Sequence, residues 1–229
     1  MASSVAISGG SAAVPQAPAR TIRAKLLVDG AHYEELIVRA IAEATVSVWI
    51  STANLKTMMI EAPIGSRARA SGRYVSFFET LGELARRGVD VCILHASRPS
   101  GPLQRELARL AKNASGVKMR LCPRVHLKMI AVDGKLLYLG SANLTGAGLG
   151  AKGDGRRNFE MGILTDSEAM LDAAQGRFDR IWRGRECGPC TMRRDCDAPL
   201  DLVKTLVNAK ATTSRGTSRR TCRSPSSPR

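Results

Sequence analysis

The sequence has few aromatic residues, no long apolar segment and only three histidines. Aromatic residues make up 4% of the 229 positions, which argues against a broad surface for stacking nucleic-acid bases. No apolar run reaches the roughly 20 residues that a membrane-spanning helix needs. The N-terminal stretch 1–20 lacks both an early positive region and a sustained apolar region, so it does not resemble a signal peptide. We therefore expect a cytoplasmic protein without a transmembrane segment.

Acidic residues are also scarce relative to basic ones. The chain contains 20 acidic and 35 basic residues, which gives a formal net charge of +15. Six of these surplus charges lie in the acid-free stretch 208–229, so the rest of the chain still carries a surplus of nine. Such an excess favours a polyanionic partner, either nucleic acid or an anionic phospholipid surface.

The order of predicted elements indicates one α/β domain. Buried strands, rich in β-branched residues, alternate with helices whose apolar residues recur at helical spacing. We predict a mixed, mostly parallel sheet with helices on both faces, extending over 22–183. A disordered tail over 1–21 precedes it, and a cysteine-rich knuckle over 184–200 and a basic, disordered tail over 201–229 follow it. Within the domain, 55–73 is predicted to be a basic loop because Pro63, Gly65 and Gly72 interrupt the pattern.

The stretch Val125–Gly146 is predicted to form a β-hairpin. Two apolar runs flank Asp133-Gly134, a pair that suits a tight turn with two positive φ angles. Pairing Val132 with Lys135 across this turn would bring His126 opposite Ser141 at the open end of the hairpin. An imidazole and an ammonium two residues apart on one face suit phosphoryl transfer, because histidine can attack or shuttle protons while lysine neutralises an anionic oxygen. Asp133 would lie at the far end and act in the turn.

The spacing within this hairpin resembles the HKD motif of the phospholipase D superfamily. The pattern is His-x-Lys-x4-Asp-x6-Gly-Ser-x-Asn, and it is met by His126, Lys128, Asp133, Gly140, Ser141 and Asn143. The other reading, a surface hairpin with scattered polar residues, would require six fixed positions to match by chance. Asp133 and Gly140 are expected to be structural members of the motif.

This resemblance implies a phosphodiesterase that acts through a phosphohistidine at His126 without an obligatory catalytic metal. It also implies that Lys128 and Asn143 bind phosphate oxygens, and that Ser141 lies at the edge of the phosphate. An acidic residue on the strand after the motif orients the histidine in this superfamily, and Glu160 is the candidate here. Members with one motif complete their active site by pairing two chains, so a homodimer is implied.

The C-terminal cysteines form a second candidate site. Cys187, Cys190 and Cys196 lie in CGPCTMRRDC, where the Cys-x2-Cys pair is typical of a metal knuckle. The fourth ligand of a structural zinc ion could be Cys122, Cys222, an aspartate or a cysteine from another chain. An iron–sulfur cluster is the second choice of cofactor, and free or redox-active thiols are an equally open alternative.

Three functions remain open from the sequence. The net charge, the basic loop and the basic tail favour a nuclease that cleaves DNA or RNA. A phospholipase D that releases phospholipid headgroups is the first alternative, although no amphipathic helix with interfacial aromatic residues is evident. A nucleic-acid-binding module that no longer catalyses is the second alternative, and the complete set of polar motif residues counts against it.

Overall fold

The computed structural model describes residues 21–62, 65–112 and 116–202, and these ranges form an α/β fold. The predicted tails therefore lie almost entirely outside the described residues. The helices comprise an N-terminal helix with π-type hydrogen bonding over Tyr33–Ile41, α1 (Arg67–Ala70), α2 (Phe77–Arg86), α3 (Gly101–Lys112) and α4 (Glu168–Trp182). The strands are β1 (Ala24–Val28), β2 (Ser47–Thr52), β3 (Met59–Glu61), β4 (Tyr74–Ser76), β5 (Asp90–His95), β6 (Lys118–Leu121), β7 (Met129–Val132), β8 (Leu136–Gly140) and β9 (Met161–Thr165).

Seven strands form one mixed sheet in the order β1-β9-β8-β7-β2-β5-β6. The pairs β2–β5 and β5–β6 are parallel, and the other four neighbouring pairs are antiparallel. The prediction of a mixed sheet is confirmed. Most strands run in the same direction, since only β7 and β9 run opposite to the other five. Counted by neighbouring pairs, however, the sheet is mainly antiparallel, because four of its six pairs involve the hairpin β7–β8 or the strands on its β9 side.

Each face of the sheet is covered by helices, as predicted. On one face, the N-terminal helix, α2 and α3 pack on residues such as Val48, Ile50 and Ile93. On the other face, α4 packs on Trp49 and Leu137, and Leu200 of the C-terminal segment joins the same cluster. The alternation along β2, with Val48 and Ile50 on one side and Trp49 on the other, follows from the two-residue period of a strand. Burial of all six residues of β2 makes it the centre of the fold.

Aromatic stacking strengthens the second core. Phe178 stacks on Trp49 with 5.2 Å between ring centroids, and Trp182 stacks on Phe178 at 5.5 Å. The guanidinium of Arg120 lies 4.9 Å from the ring centroid of Trp182, in cation–π geometry. The end of α4 is thereby fixed against β6. Within the described ranges, no helix has the length and apolar character needed to cross a bilayer.

The prediction of an unstructured loop over 55–73 was wrong. Within that stretch β3 pairs with β4, and α1 lies between them, capped by the hydroxyl of Ser66. We call this unit, 55–76, the flap. Its base is tied to the main domain where Leu55 bridges Leu144 and the Lys56 N–H donates to the Leu144 carbonyl at 3.1 Å. Three-residue strands carry too little periodicity to be recognised from sequence.

The predicted hairpin is confirmed, but its register is shifted by one residue. Asp133 and Gly134 have φ angles of 54° and 64°, and the Lys135 N–H donates to the Val132 carbonyl at 3.0 Å. This is the expected tight turn. Val132 nevertheless pairs with Leu136 rather than with Lys135. One extra residue on the second strand therefore bulges at the turn, as in a β-bulge.

Asp133 joins the hairpin to the start of β2. Its carboxylate accepts hydrogen bonds from the backbone N–H groups of Thr45, Val46 and Ser47 at 2.8–3.2 Å and from the Thr45 hydroxyl at 3.0 Å. Burial alone would raise the pKa of this carboxyl, but these hydrogen bonds outweigh it and hold the pKa below its usual value. The aspartate of the motif therefore has a structural role at the far end of the hairpin.

We expect Asp133→Asn to lower the free energy of unfolding by about 2 kcal/mol at pH 7, because charge-assisted hydrogen bonds to three backbone amides are weakened. The pKa of Asp133 is lower in the folded state, so its contribution is present above the unfolded-state pKa and is lost as pH falls through the folded-state pKa. Urea denaturation of both proteins at pH 7 and in acid measures the difference. Lys135→Ala, in the same turn, is the control and should change little. A difference that persists unchanged in acid would contradict this role.

Candidate active site

The predicted site residues meet at one edge of the sheet. This edge holds the carboxyl ends of β2, β5, β6 and β8 and the amino ends of β7 and β9. His126 and Lys128 immediately precede β7, Ser141 and Asn143 follow β8, and Glu160 precedes β9. Ligand sites in α/β sheets commonly lie outside the carboxyl ends of the strands. The topology therefore gathers residues from three strand ends at a plausible reaction site.

His126 and Lys128 are in direct contact at this edge. The Nζ of Lys128 lies 3.1 Å from Nδ1 and 3.0 Å from Nε2 of His126, and it donates to the His126 carbonyl at 3.1 Å. The His126 side chain is exposed, and that of Lys128 is partly buried. An imidazole and an ammonium this close can act on the same phosphate group, one at phosphorus and the other at an oxygen.

Asn143 is held in a fixed orientation by the end of β2. Its Oδ1 accepts from the backbone N–H groups of Ala53 at 3.2 Å and Asn54 at 3.1 Å, and it lies 3.3 Å from the Thr52 hydroxyl. Within the described ranges no residue accepts a hydrogen bond from its Nδ2. Because the oxygen is anchored, the amide nitrogen is pre-oriented as a donor, which suits an anionic oxygen.

Thr52 is a site residue that sequence reasoning missed. It is 1% exposed, its hydroxyl donates to the Asn54 carbonyl at 2.7 Å, and the same oxygen accepts from the Leu144 N–H at 3.0 Å. One hydroxyl at the end of β2 thus contacts both Asn54 and Leu144, which lie next to Asn143. Its position at the carboxyl end of a buried strand was the available signal.

We expect Thr52→Val to lower kcat about tenfold, because Asn143 loses one of its three donors and the Leu144 N–H loses its acceptor. The matched control is Ser51→Ala: the Ser51 hydroxyl is buried and makes no hydrogen bond within the described part of the chain. Single-turnover cleavage rates of the two variants test this role: Thr52→Val should be slower than wild type, and Ser51→Ala should not. Equal rates for both variants and wild type would contradict a positioning role for Thr52.

Glu160 contacts Ser141 rather than His126. Its carboxylate accepts from the Ser141 hydroxyl and from Nδ2 of Asn158 at 3.0 Å. The Ser141 oxygen also accepts from the Met161 N–H at 3.1 Å. No hydrogen bond joins Glu160 to the imidazole of His126 in the ranges that the structure describes. The orienting role of Glu160 therefore stays a prediction, and the observed contacts assign it a link to the motif serine.

Asp29 fixes the backbone of Glu160. Its carboxylate accepts from the Glu160 N–H at 2.8 Å, and its own N–H donates to the Glu160 carbonyl at 2.9 Å. Asp29 adopts a left-handed φ of 46°, a conformation that aspartate tolerates better than most residues. From the sequence alone, Asp29-Gly30 indicates only a turn, because its partner Glu160 lies more than 130 residues away.

Gly140 has a packing reason to be glycine. A Cβ atom at this position would lie 2.3 Å from the Tyr138 hydroxyl and 2.8 Å from the Cα of Gly162. The Tyr138 ring is buried beneath this crossing, and burial raises the pKa of its hydroxyl to about 12. The phenol is therefore neutral at physiological pH and serves as core rather than as an acid–base group. Gly140 is structural, in agreement with the motif interpretation.

The three C-terminal cysteines come together with a fourth. Cys122, Cys187, Cys190 and Cys196 are free thiols and line one cavity of about 80 Å³, partly open to solvent, between the loop after β6 and the segment after α4. Burial raises the pKa of Cys122, whereas a hydrogen bond with Arg124 lowers the pKa of Cys190. In their present rotamers, no three His, Cys, Asp or Glu side chains of the described residues converge on a metal-binding point.

Comparison with known proteins adds a family match. The family model described as cardiolipin synthase, PLD-like domain, matches residues 37–182, well over half of the chain. No curated protein matches.

Solved structures resemble the chain only distantly. The phospholipase D family member Nuc from Salmonella typhimurium is 19% identical, with a TM-score of 0.49. NucT from Helicobacter pylori is 17% identical, with a TM-score of 0.48. Each comparison covers 70% of this chain and 95% of the other. At this identity and TM-score, the structural likeness says nothing about function. The assignment of the chain to a family therefore rests on the family model.

Proposed function

The chain belongs to the phospholipase D superfamily, and we propose that it is a nuclease that hydrolyses nucleic-acid phosphodiester bonds through a phosphohistidine intermediate. The observation that carries this proposal is the meeting of His126, Lys128 and Asn143 at one sheet edge. Their spacing matches the motif, and their contacts suit a phosphate: an exposed imidazole, an ammonium about 3 Å from it and a pre-oriented amide.

In the proposed reaction, a nitrogen of His126 attacks phosphorus and forms a P–N bond as the bond to the leaving oxygen breaks. The His126 of the partner subunit gives its proton to that leaving oxygen. The same group then removes a proton from water, which attacks phosphorus and breaks the P–N bond. Lys128 and Asn143 neutralise the equatorial oxygens in both steps. Protein groups supply every proton transfer, so an added metal ion is not required.

We propose a homodimer because, of the three histidines, only His126 is exposed, whereas His95 at the end of β5 and His32 are buried. The surroundings support this proposal. Leu127, between His126 and Lys128, is 38% exposed, and the neighbours of Glu160 are more exposed still, Phe159 at 96% and Met161 at 58%. Exposed apolar side chains grouped around polar site residues are typical of a protein interface. Docking of a second copy would bury them and bring the two histidines together.

Nucleic acid is the favoured substrate because of the flap. It begins next to Asn143, at the bridge between Leu55 and Leu144, and it carries Lys56, Arg67, Arg69 and Arg73. Arg69 is paired with Glu61, whereas Lys56 and Arg67 are exposed and make no ion pair within the described ranges. Lys56, beside the bridge to Leu144, would contact a phosphate next to the scissile bond, and Arg67, farther along the flap, would add to the attraction of a polyanion.

The test is a cleavage assay in EDTA with plasmid DNA, single-stranded DNA and RNA, run beside phosphatidylcholine vesicles. We expect cleavage of at least one nucleic acid, with activity that falls as salt rises because phosphate contacts are screened. Headgroup release without nucleic-acid cleavage would instead identify a phospholipase. Binding of nucleic acid without any cleavage would identify a non-catalytic module.

A further inference from the structure

A second candidate site lies beside the first, where four thiols line one cavity. Cys122 comes from the loop after β6, and Cys187, Cys190 and Cys196 come from the segment after α4. Cys122 and Cys187 also pack against the same core cluster. Sequence separation between Cys122 and the others exceeds 60 residues, so only the fold brings the four together. Four cysteines are the ligand set of a closed, tetrahedral structural zinc site.

The backbone around two of these cysteines has the form of a metal knuckle. The Cys190 N–H donates to the Cys187 carbonyl at 3.2 Å, which closes the Cys-x2-Cys turn. A Cys-x2-Cys turn is the usual spacing of two ligands that bind one structural metal ion.

Positive charge around the cavity would balance such a site. One zinc ion with four thiolates carries a net charge of about −2, which is costly to hold in a partly buried place without cations nearby. Arg124 and Arg193 line the same cavity as the four cysteines. These two guanidinium groups supply the compensating charge, and Arg193 is itself held by Asp201.

We propose that Cys122, Cys187, Cys190 and Cys196 together bind one zinc ion. Because no three of these thiols converge in the structure, binding requires the side chains to move toward the cavity that all four line. The ion would fasten the segment after α4 to the loop that leads into the active site. Cys122 lies four residues before His126, and the intervening Val125 is buried in the same core as Leu200. The zinc is structural and takes no part in the reaction.

The test measures metal rather than activity, so its outcome is independent of whether the protein is a nuclease. The full chain, purified in reductant without added chelator, is expected to contain about one zinc per chain by elemental mass spectrometry. Titration with a mercurial reagent should release the zinc as four thiols react. Cobalt substitution should give the thiolate-to-cobalt charge-transfer bands of a tetrahedral site. Zinc in such a closed site would survive a brief EDTA treatment, so the cleavage assay is compatible with it.

Two variants distinguish the proposed ligand set. Cys122→Ser should reduce zinc retention at least about tenfold, whereas Cys222→Ser, at a cysteine outside the described residues, should retain zinc like wild type. If Cys122→Ser fails to fold, a count of four thiols at zinc release from Cys222→Ser decides the same question. Folded wild type without zinc, iron with acid-labile sulfide in its place, or zinc loss from Cys222→Ser alone would each overturn the proposal.

Discussion

His126→Ala is expected to lower turnover at least about 10³-fold, because it removes both the nucleophile of one chain and the proton donor for the other. The His126 side chain is exposed and its contacts are with Lys128. Its loss should therefore leave the fold and the Tm unchanged. Initial rates on the best substrate from the cleavage assay measure the effect, with Tm from thermal denaturation as the check on folding.

Lys135→Ala is the matched control for this variant. Lys135 is an exposed residue of the same hairpin, at its opposite end. The Lys135→Ala protein should cleave the substrate at the wild-type rate. A folded His126→Ala protein that retains more than a tenth of wild-type activity would contradict the nucleophile assignment.

Lys128→Met should reduce kcat about 10²- to 10³-fold. The ammonium neutralises charge that develops on phosphate oxygens in the transition state, and a methionine of similar length cannot. Its three contacts with His126, all within 3.1 Å, also hold the imidazole in place. A KM close to that of wild type is expected where the interaction strengthens mainly in the transition state.

The control for charge is Lys135→Met, which removes the same charge from the same hairpin away from the site. If the two lysine variants lost activity equally, the effect would reflect general attraction of the polyanion rather than a contact at phosphorus. Measurement at two salt concentrations separates these cases, because only the general attraction is screened.

Much of the site could be predicted because its signal is local. The hairpin is predicted from Asp133-Gly134 between two apolar runs. In an extended chain, residues two apart lie on the same face, which places His126 and Lys128 side by side. The helices on both faces follow from periodicity. The bulge at the turn was missed because one extra residue does not change the turn sequence, yet it moves the pairing of Val132 from Lys135 to Leu136.

The remaining contacts depend on distant parts of the chain. Asp133 binds the backbone at the start of β2, more than 80 residues away in sequence. Thr52 binds the Leu144 N–H, next to Asn143, across a similar sequence separation. Glu160 was expected beside His126, whereas its carboxylate binds Ser141 and Asn158. Which neighbour a polar side chain selects depends on strand order, and strand order cannot be read from periodicity alone.

A mixed dimer shows whether two chains form one shared active site. Wild-type and His126→Ala chains with different affinity tags are co-expressed, and the heterodimer is purified through both tags. If the site is shared, we expect activity near that of the His126→Ala homodimer, because the single site lacks one of its two histidines. Activity about half that of the wild-type dimer would mean two independent sites and would contradict a shared site.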